Sequence, residues 1–234
     1  MRKLSQHTIC TKKKCFSAET IRRLSLYLRN LRRFKENNVK IISSGEISKC
    51  SNVSPEQFRR DLSYFGEFGK RGVGYEIERL ISELESILGI DKEWRVALVG
   101  VGSLGSALLR FEGFSKFHLK IICAFDIDNN KIGKNFSGVK IHSVENLAEV
   151  IKTDNMEIAI IATLPDVAQD VADKLMGAGI KGILNFAPVA LRTNDDVFIS
   201  DVDMACELES LIFFVDQRKT DKEEEKERNL SFEG

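Results

Sequence analysis

A glycine-rich segment lies between a mostly apolar run and a helical pattern in the second part of the chain. The apolar run covers residues 94–99, the helical pattern covers 106–111, and the spacing between them is G-x-G-x-x-G. In that context the first glycine permits a tight turn, the second lets the backbone approach a pyrophosphate, and the third allows close packing of helix and strand. Free N–H groups at a helix start also attract phosphates. The pattern predicts a dinucleotide site formed by Gly100, Val101, Gly102, Ser103, Leu104 and Gly105.

A carboxylate follows the next apolar run at the spacing that such a site requires. Residues 119–125 read as a strand that leads into Asp126, which lies 21 residues after Gly105. An acid at this position binds the ribose hydroxyls of the cofactor, and it favours NAD(H) because a 2′-phosphate would meet a like charge. Asp128 is a second candidate for this role. The alternative is that Asp126 only caps a turn.

Two later apolar runs predict further strands of the same sheet. Residues 157–162 and 182–186 read as strands, and a helical pattern over 165–177 separates them. Ligands of parallel sheets bind beyond the carboxyl ends of the strands. The residues that this rule predicts near the nicotinamide half of the cofactor are Thr163, Leu164, Asn185 and Phe186.

Two short helices joined by a tight turn are predicted in the first third of the chain. Ser43 and Ser54 each begin a capping-box pattern, and Pro55 occupies the first position of the second helix, over 54–65. Such a pair forms a helix-turn-helix arrangement. The polar side chains predicted to face outward from the second helix are Gln57, Arg59, Arg60 and Ser63. Arginine and glutamine are side chains that recognise guanine and adenine edges in the major groove of DNA.

A glycine-rich hairpin with two cations at its tip is predicted directly after this helix pair. Residues 66–75 contain four glycines and carry Lys70 and Arg71. Such a hairpin brings cations close to a phosphate backbone, so the whole segment predicts a winged helix-turn-helix that binds DNA. The alternative is a solvated arginine face beside an ordinary turn, and the helix-turn-helix shape also serves protein–protein contacts.

Charge is distributed unevenly along the chain. Residues 1–80 contain 18 Lys and Arg against 8 Asp and Glu, whereas residues 81–234 contain 17 against 27. A net charge of +10 on the first third indicates a polyanionic partner for that part.

Several classes of protein are excluded by composition and hydropathy. The longest apolar run is far shorter than the roughly 20 residues that a membrane helix needs, and no apolar signal core follows the basic N-terminus. The five cysteines are an odd number in a long chain, which is typical of a reducing compartment. We therefore expect a cytoplasmic protein without a membrane partner.

No catalytic or metal site is predicted. His7, His118 and His142 are the only histidines, and none is expected beside the nicotinamide. The spacing of His7, Cys10 and Cys15 is a loose match to a zinc site, but a closed site requires a fourth ligand. A dinucleotide pocket joined to a DNA-binding segment favours a sensor. An NAD-dependent oxidoreductase and a DNA-binding regulator of a different nucleotide remain the alternatives.

The alternation of strands and helices predicts an α/β protein whose second domain is a doubly wound parallel sheet. We expect an exposed apolar face on the last helix to mediate dimerisation. The predicted organisation is a flexible basic arm (1–16), a winged-helix domain with a connector helix (17–89), a Rossmann-type NAD(H) domain (90–202), a dimerisation helix (203–215) and a disordered charged tail (216–234).

Four segments of the sequence together carry a resemblance to a known family: TIRRLSLYLR (Thr20–Arg29), QFRRDLSYFGEFGKRGVGY (Gln57–Tyr75), GVGSLGSAL (Gly100–Leu108) and AGIKGILNFAPV (Ala178–Val189). They resemble the Rex family of bacterial redox-sensing transcriptional repressors, and the resemblance covers about residues 18–215. The resemblance implies a homodimer with swapped C-terminal helices that binds an inverted-repeat operator when NADH is low and releases it when NADH rises.

The family pattern also implies roles for individual residues. Arg59 and Arg60 would contact DNA bases, with Gln57, Ser63 and Tyr64 nearby and with Lys70 and Arg71 in the wing. The glycine loop and Asp126 would hold NADH. Arg29 would pair with Asp203 in the DNA-bound state, and on NADH binding that aspartate would turn to a residue that is tyrosine in the family. Here that residue is Phe111, which has no hydroxyl.

Overall fold

The structure is a computed structural model, and it describes residues 8–10, 15–70 and 72–232. Its helices in these ranges are α1 (Ala18–Glu36), α2 (Ser44–Ser51), α3 (Pro55–Ser63), α4 (Ile77–Leu88), α5 (Ser103–Arg110), α6 (Leu147–Thr153), α7 (Pro165–Ala178) and α8 (Met204–Phe232). Short 3-10 helices cover Glu112–Phe117 and Val144–Asn146.

The strands of the described chain form a hairpin, a small ribbon and one large sheet. They are β1 (Thr8–Cys10), β2 (Cys15–Ser17), β3 (Ile41–Ile42), β4 (Tyr75–Glu76), β5 (Trp94–Val99), β6 (Leu119–Asp126), β7 (Asn135–Phe136), β8 (Val139–Ser143), β9 (Ile158–Ile161), β10 (Gly182–Asn185) and β11 (Phe198–Asp201).

The N-terminal domain is built from α1 to α4 around one apolar core. The side chains of Leu24, Leu28, Phe58 and Leu84 are buried together in it, and β3 pairs with β4 at its edge. The predicted capping at Ser43 is confirmed, because Ser43 Oγ accepts from the N–H of Glu46 and the carboxylate bonds back to the Ser43 N–H. Local capping therefore sets the start of α2 and the turn into α3.

The large sheet has the strand order of a dinucleotide-binding fold. Its order is β11-β10-β9-β5-β6-β8-β7, in which only β7 runs antiparallel to its neighbour. When the six parallel strands are numbered along the chain, from 1 for β5 to 6 for β11, their order starting from β8 is 3-2-1-4-5-6. The predicted α/β class with a doubly wound sheet is therefore confirmed. The order reverses between β5 and β9, which creates a crevice at the carboxyl ends of these two strands.

The structure describes regular elements in two segments for which the sequence predicts flexibility or disorder. The segment expected as a flexible arm (1–16) contains β1 and most of β2, which pair as an antiparallel hairpin. Thr8, Ile9 and Phe16 are residue types that favour strands. The segment expected as a disordered tail (216–234) is helical through Phe232, because α8 continues through it without interruption. Residues 216–232 contain no glycine or proline and are rich in Glu, Lys and Arg, which have high helix propensity.

The first part of α8 exposes an apolar surface. Within this single chain its large apolar side chains are at least 49% exposed: Met204, Leu208, Leu211, Ile212, Phe213, Phe214 and Val215. Such a patch marks an interaction surface rather than a helix meant to face water. Among the described helices none is both long enough and apolar enough to span a bilayer.

Candidate nucleotide and DNA sites

The glycine loop connects β5 to α5 at the crevice where the strand order reverses. Gly100 has φ +95°, and a Cβ there would lie 2.5 Å from the carbonyl oxygen of Ala162 at the end of β9. A Cβ on Gly105 would overlap the carbonyl oxygen of Gly100. A Cβ on Gly102 would meet no atom within 4 Å. Gly100 and Gly105 thus meet packing requirements, whereas Gly102 keeps the start of α5 open to an approaching pyrophosphate.

Asp126 is buried at the end of β6 and holds the glycine loop. Its Oδ2 accepts from the Val101 N–H at 2.9 Å and from Lys131 Nζ at 3.1 Å, and its Oδ1 accepts from the Asp128 N–H at 2.9 Å. Burial raises the pKa of Asp126, but these backbone and lysine donors outweigh it, so the pKa lies below the ordinary value. The carboxylate is therefore ionised, and it fixes the loop in addition to any contact with a ribose.

Two large apolar side chains are exposed at the same edge of the sheet. Leu164 is one of the residues predicted from the sequence, whereas Ile127 is not. Ile127 is 81% exposed directly after Asp126, and Leu164 is 75% exposed directly before α7. Lys131 is a further missed residue, since it brings a positive charge next to Asp126. Ile127 could have been predicted from the sequence, because a large apolar residue directly after an acid that binds ribose can pack against the adenine base.

The polar side chains at the carboxyl ends of β9 and β10 differ in whether they are hydrogen-bonded within the protein. Thr163 Oγ1 is buried and has no hydrogen-bond partner among the described residues, which is rare for a buried polar atom. The Asn185 side-chain amide is already used, since it lies 3.0 Å from the Val189 oxygen and 3.0 Å from Asp201 Oδ1, and its Oδ1 accepts from the Ala187 N–H. Asn185 therefore shapes the loop that carries Phe186, whereas the Thr163 hydroxyl is available to a ligand.

Helix α3 presents the predicted cationic face. Arg59, Arg60 and Ser63 are exposed, as is Lys70 at the bridge that closes the glycine-rich hairpin with Gly74. Arg59 is oriented by hydrogen bonds to Ser44 Oγ and Glu56 Oε1, both at 2.8 Å. Two further predicted residues are Tyr64, which is half-buried, and Arg71, which lies outside the described residues.

Gln57, which is predicted to face outward from α3, is half-buried in the structure. Gln57 Nε2 donates to Asp61 Oδ1 at 2.8 Å, and so its side chain lies along α3 instead of projecting from it. Asp61 is fully buried and also accepts from Arg23 Nε at 2.6 Å and from the Tyr27 hydroxyl at 2.8 Å. The buried carboxylate needs these donors, because an unpaired buried charge is strongly destabilising. This group of side chains holds α3 against α1, and it was not identified from the sequence.

The two halves of the chain meet at an aromatic side chain. The guanidinium carbons of Arg29 and Arg32 lie 5.1 Å and 5.3 Å from the ring centre of Phe117, which is within the range of cation–π attraction. Arg32 also donates to Glu85 Oε1 at 2.8 Å and to the Lys116 carbonyl at 3.0 Å. Helix α1 of the N-terminal domain is thus bound to the segment that follows α5.

The three residues expected to act as a switch are not brought together within one chain. Arg29 lies over Phe117, while Asp203 caps α8 by accepting from the N–H groups of Ala205 and Cys206. Phe111 is exposed and packs edge-on against Phe114, with ring centres 5.0 Å apart. A pairing of Arg29 with Asp203 of a second subunit therefore stays a prediction.

Curated relatives align over most of this chain. The redox-sensing transcriptional repressor Rex of Syntrophobacter fumaroxidans is 44% identical over 195 residues, which cover 83% of this chain and 93% of the relative. Rex of Desulfitobacterium hafniense is 45% identical over 200 residues, covering 86% and 95%. The chain belongs to the Rex family of redox-sensing transcriptional repressors.

Solved Rex structures agree with the fold described above. The Rex-family repressor RSP, solved in complex with β-NAD⁺ and operator DNA, is 36% identical with a TM-score of 0.85 over 90% of this chain and 97% of that one. RSP in complex with β-NADH is 34% identical with a TM-score of 0.80 over 90% and 99%. Family models for a CoA binding domain and for a putative DNA-binding protein N-terminus match residues 91–189 and 16–63.

Proposed function

We propose that this Rex-family chain is a dimeric repressor that binds an inverted-repeat operator in double-stranded DNA when NADH is low and releases it when NADH rises. The observation that carries the proposal is the joining, in one chain, of an exposed arginine face on α3 and an open glycine loop at a crevice in a dinucleotide-binding sheet. RSP, which shares this fold, has been solved with NAD⁺, with NADH and with operator DNA. We place its action in the cytoplasm, where NADH and DNA are both present.

The nucleotide is proposed to lie across the crevice between β5 and β9. Its pyrophosphate would meet the start of α5 at Gly102, and its adenosine ribose would meet Asp126. Ile127 offers an exposed apolar surface for the adenine. Thr163 Oγ1, which is buried without a partner in the described part of the chain, would be hydrogen-bonded by the nicotinamide half. Leu164 and Phe186 flank this half of the crevice.

The pocket is proposed to sense the nucleotide and not to transfer hydride. His118 lies at the amino end of β6, which is the opposite end of the sheet from the crevice. His142 lies on β8, which is on the adenine side and two strands away from β5. Neither imidazole is in position to exchange a proton with a substrate at the nicotinamide. The site would then only bind and release the nucleotide.

DNA recognition is proposed to use the α3 face and the wing. Arg59 and Arg60 would enter the major groove, with Ser63 and Tyr64 at the end of the same helix and Lys70 and Arg71 toward the phosphate backbone. Gln57 would support this helix through Asp61 and leave base contacts to the arginines. Two copies of α3 in a symmetric dimer would match the two halves of an inverted repeat.

The dimer and its switch are proposed to depend on α8. Its exposed apolar face requires a covering surface, and a second copy of the chain supplies one with the symmetry that the operator demands. Asp203 at the start of α8 would then meet Arg29 of the other subunit in the DNA-bound state. We expect Arg29→Ala and Asp203→Ala to weaken operator binding while NADH binding is retained. Unchanged operator affinity in both variants would contradict this switch.

The proposed function is tested by titrating the protein onto a labelled inverted-repeat operator while fluorescence anisotropy is recorded. Salt is held fixed, because phosphate contacts make the affinity steeply dependent on ionic strength. We expect NADH to release the DNA and NAD⁺ not to release it. If DNA binding is insensitive to NADH, we would conclude that the chain is a DNA-binding protein whose pocket senses another ligand. Absence of sequence-specific binding would overturn the proposal.

A further inference from the structure

Arg59 on α3 is held in place by one side chain from each helix of the helix-turn-helix pair. Its Nη1 donates to the hydroxyl of Ser44, which is the first residue of α2, at 2.8 Å. Its Nη2 donates to the carboxylate of Glu56, three residues earlier on α3, also at 2.8 Å. An exposed arginine otherwise samples many rotamers, and it loses that freedom when it binds. The two contacts therefore fix the position of the guanidinium before DNA is bound.

The guanidinium of Arg59 can still bind a base while it is held. It has five N–H donors in one plane, and the contacts to Ser44 and Glu56 use two of them. The side chain is 49% exposed. Arginine recognises guanine through two hydrogen bonds, to O6 and N7, and both form only when the guanidinium plane is correctly oriented. A fixed guanidinium therefore favours guanine at one position of the DNA.

Glu56 brings a negative charge to the part of α3 that is proposed to enter the major groove. It lies in the first turn of α3, and the N-terminal residues of a recognition helix are those that contact base edges. A hydrogen bond from its own backbone N–H, together with those from Ser54 and Arg59, lowers the pKa of Glu56, so its carboxylate is ionised at neutral pH. This charge repels the phosphates of any DNA sequence. The guanine contact of a correctly held Arg59 compensates for the repulsion only at the matching sequence.

We propose that Glu56, assisted by Ser44, determines the sequence specificity of the DNA site by holding Arg59 in the orientation that pairs with one guanine in each half of the operator. The inference rests on the proposed function, because it requires α3 to lie in the major groove. Glu56 is a positioning residue in this role, since it acts on the base through Arg59. Its contribution is discrimination between DNA sequences, and not affinity for DNA in general.

The base pair that Arg59 recognises is located first, with the Arg59→Ala variant. Each base pair of an inverted-repeat operator is substituted in turn, in both halves of the repeat. The affinity of the full-length protein for each DNA is measured by fluorescence anisotropy, at fixed salt and without NADH. At the base pair that Arg59 recognises, substitution lowers the affinity of the wild type but does not lower that of the variant.

The proposal is tested by measuring the preference of Glu56 variants at that base pair. We expect Glu56→Ala to reduce the preference for the native base pair at least about fivefold, while the preferences at other positions stay within about twofold of wild type. Glu56→Gln keeps an acceptor without the charge, so its preference should fall between those of wild type and the alanine variant. Ser44→Ala should reduce the same preference, because it removes the second contact to Arg59 and leaves the Ser43 cap of α2 intact.

Glu67→Ala is the matched control, since Glu67 is an exposed acid that follows α3 in the chain. Loss of its charge should raise the affinity for all sequences by a similar factor and leave the base preferences unchanged. The proposal is overturned if Glu56→Ala gives the same uniform change, if it keeps the wild-type preference at the base pair that Arg59 recognises, or if no base pair depends on Arg59. A wild-type protein that prefers no operator sequence would overturn the proposed function as well, and this result is recognised before any variant is compared.

Discussion

Thr163 carries the hydroxyl whose environment is best explained by a bound ligand. A buried donor without a partner costs free energy, so a ligand that accepts its hydrogen bond gains affinity. We expect Thr163→Val to weaken NADH binding about five- to tenfold, because one hydrogen bond contributes about 1 kcal/mol. Thr163→Ser, which keeps the hydroxyl, should bind nearly as wild type. Titration of NADH fluorescence measures both, and a valine variant with wild-type affinity would remove Thr163 from the site.

Asp126 makes the stability of the second domain depend on pH. Its pKa is lowered in the folded state, so its contribution is fully present above the unfolded pKa of about 3.9 and is lost as pH falls through the folded value. We expect Asp126→Asn to lower the free energy of unfolding by about 1–2 kcal/mol at pH 7. The gap between variant and wild type should narrow below about pH 4.

Urea unfolding at neutral and acidic pH, followed through the fluorescence of Trp94, measures this dependence. Asp128→Asn is the matched control, since Asp128 is a partly exposed neighbour on the same turn. Its carboxylate accepts one hydrogen bond, from the Asn130 N–H, and lies 3.8 Å from Lys131 Nζ. A stability gap for Asp126→Asn that stays constant over the whole pH range would contradict the assigned role of the charge.

At the scale of elements, the segment after α5 links the nucleotide crevice to the DNA-binding domain. A nucleotide bound at the start of α5, as proposed above, would be coupled to α1 through Phe117, which Arg29 and Arg32 both contact. We expect Phe117→Leu to leave NADH affinity within about twofold and to reduce the factor by which NADH weakens operator binding. Such a factor measures a coupling free energy between two sites.

Phe136→Leu is the matched control for this variant. Phe136 lies on β7 and receives a similar contact, with the Arg110 guanidinium carbon 4.8 Å from its ring centre, but it lies within the sheet domain. Operator affinity measured with and without NADH distinguishes coupling from stability. An undiminished NADH effect in the Phe117 variant would exclude this route.

At the scale of the whole molecule, the exposed face of α8 is proposed to determine the oligomeric state. We expect the double substitution Leu208→Glu, Leu211→Glu to give monomers, because it places charges on the surface that a second copy would bury. Operator affinity should fall at least about 100-fold, since a monomer contacts one half-site and loses the linked second one. Sedimentation velocity and anisotropy measure the two effects, and Glu207→Gln on the same helix is the control. A dimer that persists in the double variant would place the interface elsewhere.

Local sequence patterns determined most of the architecture. The serine caps, the Gly100–Gly105 loop and the alternation of apolar strands with helices are signals carried by neighbouring residues, and the structure agrees with them. The exposed arginines on α3 follow from helical periodicity in the same way. Local pattern was insufficient at both termini, where polar composition suggested flexibility but strand pairing and helix propensity prevailed.

The tertiary structure decided which polar groups are used and which remain available. The Gln57 side chain bonds to the buried carboxylate of Asp61 instead of projecting toward DNA. Arg23 and Tyr27 donate to the same carboxylate from α1. The tertiary structure likewise decides that the amide of Asn185 is hydrogen-bonded within its own loop, and that the hydroxyl of Thr163 has no hydrogen-bond partner among the described residues. Hydrogen-bond partners far apart in the chain are invisible to periodicity, because periodicity reports only which face of an element is apolar.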